Sequence, residues 1–345
     1  MLIQGKTFLI GEAGVNHNGD YKLAIKLIDI AVEAGLDAVK FQTWKTENLL
    51  TKNVKKADYQ ISTTGAEETQ FEMIKKLELP FEDFKKLKSY AESNGILFLS
   101  TAADTESLEY LIDIGLNIFK LSSADLTNYP YLKFLAKYNK QVILSTGMAN
   151  IQEIKDALAV LLNNGTDKKN ISILHCNTEY PTAMEDVNLH AMEHIRAETG
   201  IENIGYSDHT MGIEIPIAAV ALGAKVIEKH FTIDRNMEGP DHKASLEPVE
   251  LQQMVKTIRN VEIALTGSKM KTPTASEMKN IPIARKSIVA IENIKEGDVF
   301  TSNNLGVKRP GTGISPMDWE NVIGQMAWRD FNIDELIVTK TKENE

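Results

Sequence analysis

Ile204-Gly205-Tyr206-Ser207-Asp208-His209 and, one helix later, Lys225-Val226-Ile227-Glu228-Lys229-His230 repeat one pattern: a short apolar run that ends in polar, chemically useful side chains. Outward from this pair the pattern recurs. Phe8-Leu9-Ile10 precedes Gly11-Glu12, Ala38-Val39-Lys40-Phe41 precedes Gln42-Thr43, and Leu97-Phe98-Leu99 precedes Ser100-Thr101. Ile118-Phe119-Lys120-Leu121 leads to Ser122-Ser123, Val142-Ile143-Leu144 to Ser145-Thr146-Gly147, and Ile171-Ser172-Ile173-Leu174 to His175-Cys176-Asn177. Between the runs lie segments of helical period, such as Tyr21 to Ala34, whose Leu23, Ile25, Leu27, Ile28, Ile30 and Ala31 supply an apolar face before Gly35 stops it. This alternation, from residue 7 to about 265, predicts a parallel sheet with crossover helices. About eight strands is the number that a closed (β/α)8 TIM barrel needs. A doubly wound open sheet uses the same units but gathers its chemistry near one switch point. Here useful residues follow nearly every strand, so the barrel is the expected fold.

After Gly267 the composition shifts to the polar, proline-bearing stretch Ser268-Lys269-Met270-Lys271-Thr272-Pro273-Thr274, which reads as a linker. The expected division is a barrel over 1–267, a linker over 268–283 and a small second domain over 284–345. In that last part β-like runs such as Ser287-Ile288-Val289-Ala290 alternate with turns at Lys295-Glu296-Gly297-Asp298 and Pro310-Gly311-Thr312-Gly313. The net charge of -10 gives no general attraction to nucleic acid or an anionic membrane, so an anionic substrate needs local cations. Cys176 is the only cysteine, which excludes an intrachain disulfide and suits a reducing compartment. Met1-Leu2-Ile3-Gln4-Gly5-Lys6 lacks the basic and long apolar stretches of a leader, and a cytoplasmic location is expected.

His209 and His230 end adjacent strands, where two neutral imidazoles can hold a divalent ion and leave positions open for water and substrate. Each could equally be a hydrogen-bonded structural residue. Lys40, Lys120 and Lys229 lie in or just after strands. A lysine there is costly to bury unless paired, so one or more could face a substrate anion; outward snorkelling and Schiff-base chemistry are the other readings. Gln42, Thr101, Ser123, Ser145 and Ser207 suit a phosphate and a carboxylate, because hydroxyls donate without adding charge. Glu12, Asp125, Asp208 and Asp241 could bind sugar hydroxyls or move protons, and Asp208 could instead orient a histidine. Arg309, in the turn Lys308-Arg309-Pro310-Gly311, has a planar fork suited to a carboxylate or polar sugar groups.

As an ordered series, the segments Gly11-Glu12-Ala13-Gly14-Val15-Asn16-His17-Asn18-Gly19, Val39-Lys40-Phe41-Gln42-Thr43 and Leu144-Ser145-Thr146-Gly147-Met148 resemble the bacterial sialic acid synthases. So do Ser207-Asp208-His209-Thr210, Ile227-Glu228-Lys229-His230-Phe231-Thr232, Gly239-Pro240-Asp241-His242 and Lys308-Arg309-Pro310-Gly311. That family includes N-acetylneuraminate synthase and its legionaminate and pseudaminate relatives, and the likeness covers nearly the whole chain. It implies a barrel followed by a small antifreeze-like (SAF) domain, in a domain-swapped homodimer whose Arg309 enters the partner's active site. It also implies a divalent metal, manganese or magnesium (Mn2+ or Mg2+), on His209 and His230. Phosphoenolpyruvate would be held by Lys40, Thr101, Lys120, Ser123, Ser145 and Ser207, and an N-acetylated hexose by Glu12, Gln42, Tyr180, Asp241 and Arg309. Glu12, Lys120, Asp125 and Asp241 are the candidate catalytic groups.

In the family reaction, C3 of phosphoenolpyruvate attacks the aldehyde carbon of the open-chain sugar, water adds at C2, and phosphate leaves with C–O cleavage. The expected activity is N-acetylneuraminate synthesis from N-acetylmannosamine. The alternative is N,N'-diacetyllegionaminate synthesis from a 2,4-diacetamido-2,4,6-trideoxymannose. Three departures from the family pattern bear on the sugar: Ser123-Ala124-Asp125 in place of Ser-Gly-Glu, Thr101-Ala102-Ala103 in place of Thr-Pro-Phe, and Ala183-Met184 at the end of the Tyr180 motif. Outside the resemblance, a Schiff-base aldolase using Lys120 or Lys229 and a carbohydrate-binding protein without turnover are the competing classes.

Overall fold

The computed structural model describes residues 5–340. Met1 to Gln4 of the N-terminal stretch, and residues 341–345 at the end of the expected small domain, lie outside them. The chain divides between Thr266 and Gly267 into two compact units.

The strands of the first unit are β1 (Phe8–Gly14), β2 (Ala38–Thr43), β3 (Leu97–Ala102), β4 (Ile118–Leu121), β5 (Gln141–Ser145), β6 (Ile171–Cys176), β7 (Ile204–Asp208) and β8 (Val226–His230). They pair in sequence order, and β8 closes onto β1 in parallel register from Phe8 against Val226 to Glu12 against His230. The sheet is therefore a closed eight-stranded barrel, as the alternation predicts, and the open-sheet rival is excluded.

Strand parity decides what each residue faces. Phe8, Ile10, Ala38, Leu99, Ile143, Leu174 and Val226 form one buried cluster, the barrel interior. A period of two carries that inner face onward to Glu12, Lys40, Thr101, Ser145, Cys176 and Glu228. The opposite face, with Leu9, Val39, Phe41, Phe119, Tyr206 and Ile227, packs in a second cluster with the surrounding helices. Gly205 takes an inward position where strands approach so closely that a Cβ would lie 2.1 Å from the Val226 carbonyl oxygen, so only glycine fits.

The helix Tyr21–Ala34 shows how the crossovers are specified. Asp20 accepts from the Lys22 N–H at its start, Gly35 ends it with a left-handed φ of 76°, and Leu27, Ile28 and Ala31 are buried. Burying each large aliphatic side chain contributes about 1.5–3 kcal/mol. The β2–β3 connection is longer than the alternation foretells, with helices Thr46–Leu49, Asp58–Thr64, Gln70–Leu77 and Phe81–Ser93. Phe84, Leu87 and Ala91 of the last are buried. Among the described residues no helix is long and apolar enough to cross a membrane.

In the second unit β9 (Ser287–Ala290), at the run expected to be extended, pairs antiparallel with β10 (Leu305–Lys308). Ile288, Ala290, Ile294, Phe300, Leu305 and Phe331 are among the residues of its small buried core.

Candidate active site

The C-terminal ends of the barrel strands surround a cavity of about 490 Å3. It is lined by Glu12, Lys40, Gln42, Thr101, Lys120, Ser123, Asp125, Ser145, Tyr180, Ser207, His209, His230 and Asp241, which gathers these expected residues in one place, while Lys229 and Asp208 lie outside it. Register explains the convergence: Glu12 stands beside Lys40 and His230, Thr101 beside Lys120, and Ser207 beside Glu228.

Two lysines meet on one carboxylate. Lys120 Nζ lies 3.0 Å from Glu228 Oε1, and Lys40 Nζ 3.7 Å from Glu228 Oε2. Lys40 also approaches Glu12 Oε2 at 2.6 Å and donates to Thr101 Oγ1 at 3.0 Å. Ser207 Oγ donates to Glu228 Oε1 at 2.9 Å, and Gln42 Nε2 to Glu12 Oε1 at 3.0 Å. Burial opposes ionisation of Glu228, yet Lys120 and Lys40 overcome it and hold the carboxyl at about 2. Burial likewise works against the Lys40 ammonium, but Glu12 and Glu228 raise it above its ordinary range, so it stays a cation. Glu12 moves the other way: burial lifts its carboxyl, and the Lys40 charge only partly offsets that. Ser145 Oγ is buried without a hydrogen-bond partner among the described residues, which leaves its donor available to a ligand.

Opposite these cations, His209 and His230 stand with ring centroids 5.4 Å apart. Burial keeps both imidazoles neutral: His209 is lowered to about 4 and His230 well below its usual range. His209 Nδ1 pairs with the Asn177 carbonyl oxygen at 2.5 Å, a contact that makes Nδ1 the protonated nitrogen and leaves the Nε2 lone pair free. His230 Nδ1 is buried without a hydrogen-bond partner among the described residues, 3.9 Å from Asp241 Oδ2. Two neutral imidazoles with unused lone pairs fit a divalent ion. Among the described residues no group of three or more His, Cys, Asp or Glu is arranged to hold a metal, so an ion on these two histidines would take its other ligands from water and substrate. Tyr180 closes this side, with its ring 4.1 Å from that of His209 and 5.1 Å from that of Tyr59. Burial, followed by the Glu12 charge, pushes the Asp241 carboxyl up to about 7.

The structure corrects two readings. Lys229 is fully buried on the helix-facing side of β8, and its Nζ is held by Asp208 Oδ2 and the Thr210 carbonyl oxygen, each at 2.5 Å. It has the parity of Ile227, not that of Glu228, so it neither faces the cavity nor serves as a Schiff-base lysine there. Asp208 is its partner and also accepts from the Thr210 N–H and hydroxyl; it does not orient a histidine. Asp125 does line the cavity, but both of its oxygens accept from its own loop, from Ser122 Oγ at 2.7 Å and Asn128 Nδ2 at 3.2 Å. Arg309 belongs to the second unit, where it is exposed and its Nε donates to the Ala284 carbonyl oxygen at 3.0 Å.

Glu228 was absent from the carboxylates picked out in the sequence, although the signal was present: it lies two residues before His230, so the two share a face. Tyr59, Gln60, Gln70 and Ile74, from the β2–β3 connection, also line the cavity without any sequence signal.

Known proteins bear on this geometry. The model of the NeuB family matches residues 27–271, and that of the SAF domain residues 285–341. The N,N'-diacetyllegionaminic acid synthase of Campylobacter jejuni is 52% identical over 96% of this chain and 99% of its own length. The enzyme of the same name from Legionella pneumophila is 43% identical over 92% of this chain and 89% of its own. Among solved structures, an N-acetylneuraminic acid synthetase of Leptospira borgpetersenii superposes with a TM-score of 0.69 at 35% identity, covering 80% of this chain and 90% of that one. With lysines and neutral histidines gathered at the barrel mouth and these likenesses spanning both units, the chain belongs to the NeuB family and is a phosphoenolpyruvate-dependent sugar-acid synthase.

Proposed function

We propose that this enzyme condenses phosphoenolpyruvate with 2,4-diacetamido-2,4,6-trideoxymannose to give N,N'-diacetyllegionaminic acid and phosphate. The observation that carries the acceptor is the 52% identity, over nearly the full length of both chains, to a synthase of that product. This reverses the order expected from the sequence, which put N-acetylmannosamine first. The Leptospira structure, at 35% identity, supports the same reaction type with less weight on the sugar.

Lys40 and Lys120, bridged by Glu228, bind the phosphate and carboxylate of phosphoenolpyruvate together with Thr101, Ser123, Ser145 and Ser207. The sugar lies towards β8, β1 and β2, against Asp241, Glu12, Gln42 and Tyr180. Its aldehyde carbon is then presented to C3 of phosphoenolpyruvate. The carbon–carbon bond forms with the alkene electron pair, and the aldehyde oxygen takes a proton. Water adds at C2, and phosphate departs with the bridging oxygen. Glu12, whose carboxyl burial pushes towards the protonated form, is placed to give or take a proton at the sugar. A manganese or magnesium ion on His209 and His230 supplies electrophilic polarisation of a carbonyl oxygen when bound. The active form is a domain-swapped homodimer in the cytoplasm, with Arg309 of one protomer completing the sugar site of its partner.

The test is phosphate release from phosphoenolpyruvate with each sugar, run with manganese and with a chelator, and with the acidic product identified by mass. Release that needs the metal and the diacetamido sugar supports the reading. Release with N-acetylmannosamine alone returns the chain to N-acetylneuraminate synthesis.

A further inference from the structure

The cavity has one wall that the reaction as described does not use. Val15, just after β1, Ala103, just after β3, and Ile74, from the helix Gln70–Leu77, all line it. These three pack with Trp44 and Leu77 into a small apolar cluster separate from both barrel clusters. The strand order places this wall above β1, β2 and β3, beside Glu12 and Gln42 and across the mouth from Ser145 and Ser207.

Gln60, near the wall, is committed to its neighbours. Gln60 Oε1 accepts from the Ala57 N–H and from Gln70 Nε2, each at 3.0 Å, and Gln60 Nε2 donates to the Tyr59 hydroxyl at 3.3 Å. A sugar hydroxyl laid against Val15, Ile74 and Ala103 themselves would lose water without gaining a partner, which disfavours it. A sugar carrying an acetyl methyl and a C6 methyl at that end would bury apolar surface instead.

We propose that Val15, Ile74 and Ala103 form an apolar subsite for the methyl of the C4 acetamido group, and that this wall selects the diacetamido trideoxy sugar over N-acetylmannosamine. The inference rests on the function proposed above and adds the part of the chain that enforces it. Ala103 is the control point because its side chain is the smallest of the three. Its backbone N–H is anchored to the Thr43 carbonyl oxygen at 3.0 Å, so a larger side chain would grow from a fixed base.

The experiment compares kcat/KM for the two sugars in the wild-type enzyme, in Ala103→Phe, which fills the subsite, and in Ile74→Asn, which gives it a hydroxyl partner. Wild type is expected to prefer the diacetamido sugar, and each variant to lower that preference by about tenfold or more. A wild-type preference that persists unchanged in both variants overturns the subsite and leaves the function standing. A wild-type preference for N-acetylmannosamine overturns both. Thermal melting identifies a variant that has not folded, and the remaining one then decides.

Discussion

Glu228 holds the two cavity ammonium groups to one anion, with its carboxyl kept ionised by Lys120 and Lys40 against the cost of burial. Glu228→Gln keeps the volume and removes the charge, leaving two buried cations without their shared partner. We expect kcat/KM for phosphoenolpyruvate to fall by about 100-fold or more in a chain whose circular dichroism is unchanged. A fall of less than about threefold would mean that this carboxylate does not organise the cavity. Ser145→Ala should act in opposite directions on two readouts. Losing a hydroxyl that is buried and unpartnered should leave stability equal or raise it by about 1 kcal/mol, while KM for phosphoenolpyruvate rises about tenfold. His17 gives a pH signature. Burial lowers it to about 4, with Asp20 opposing and His242 adding to the shift, and its Nδ1 accepts from the Gly19 N–H at 3.0 Å. An unfolded chain takes up this proton near pH 6.5, so the unfolded state binds more protons between about 6.5 and 4. Stability therefore falls as pH falls through that window, by on the order of 3 kcal/mol from this group. Urea unfolding of wild type and His17→Gln at pH 7, 6 and 5 should show a shallower loss in the variant; parallel losses would place the His17 titration at its ordinary pH.

The elements that carry the site are strands with two faces, and β7 and β8 show what the outer face contributes. Asp208 and Lys229 lie opposite each other in the register and form a fully buried pair, while the inner face of the same residues' neighbours presents Ser207, His209, Glu228 and His230. Removing one partner leaves an uncompensated buried charge, so Asp208→Ala should destabilise the barrel by about 3–5 kcal/mol in urea unfolding. Replacing both by apolar residues, Asp208→Val with Lys229→Met, should recover most of that loss; a double variant as unstable as the single one would show that the charges themselves hold the two strands. The same strands show what a sequence reveals and what it hides. Eight apolar runs ending in polar clusters specify the barrel, because each run is buried on both faces and each cluster is at an exit. Lys229 is misread because polarity alone does not say which face a side chain takes, whereas counting by two from Val226 does. Tyr59 and Ile74 reach the cavity from short helices in a long connection that lies outside the strand-end pattern, and only the folded chain brings Tyr59 against Tyr180.

At the scale of the whole molecule, the second unit carries one residue expected in chemistry. Arg309 is exposed, and among the described residues only its Nε is engaged, by the Ala284 carbonyl oxygen, so the rest of the guanidinium fork is available to another group. If Arg309 completes the sugar site of a partner protomer, as proposed, each active site is built from two chains and two different defects can complement each other. Arg309→Ala leaves a chain with an intact barrel and a defective second unit, and Glu228→Gln leaves the reverse. Each variant alone should be close to inactive. When equal amounts are dissociated and reassociated at random, half of the dimers pair one of each, and one of the two sites in those dimers has both an intact barrel and an intact arginine. Activity should return to about a quarter of the wild-type level, with sedimentation confirming the dimer. An arginine that served its own barrel would restore nothing, because every chain in the mixture would still carry one defect at its own site.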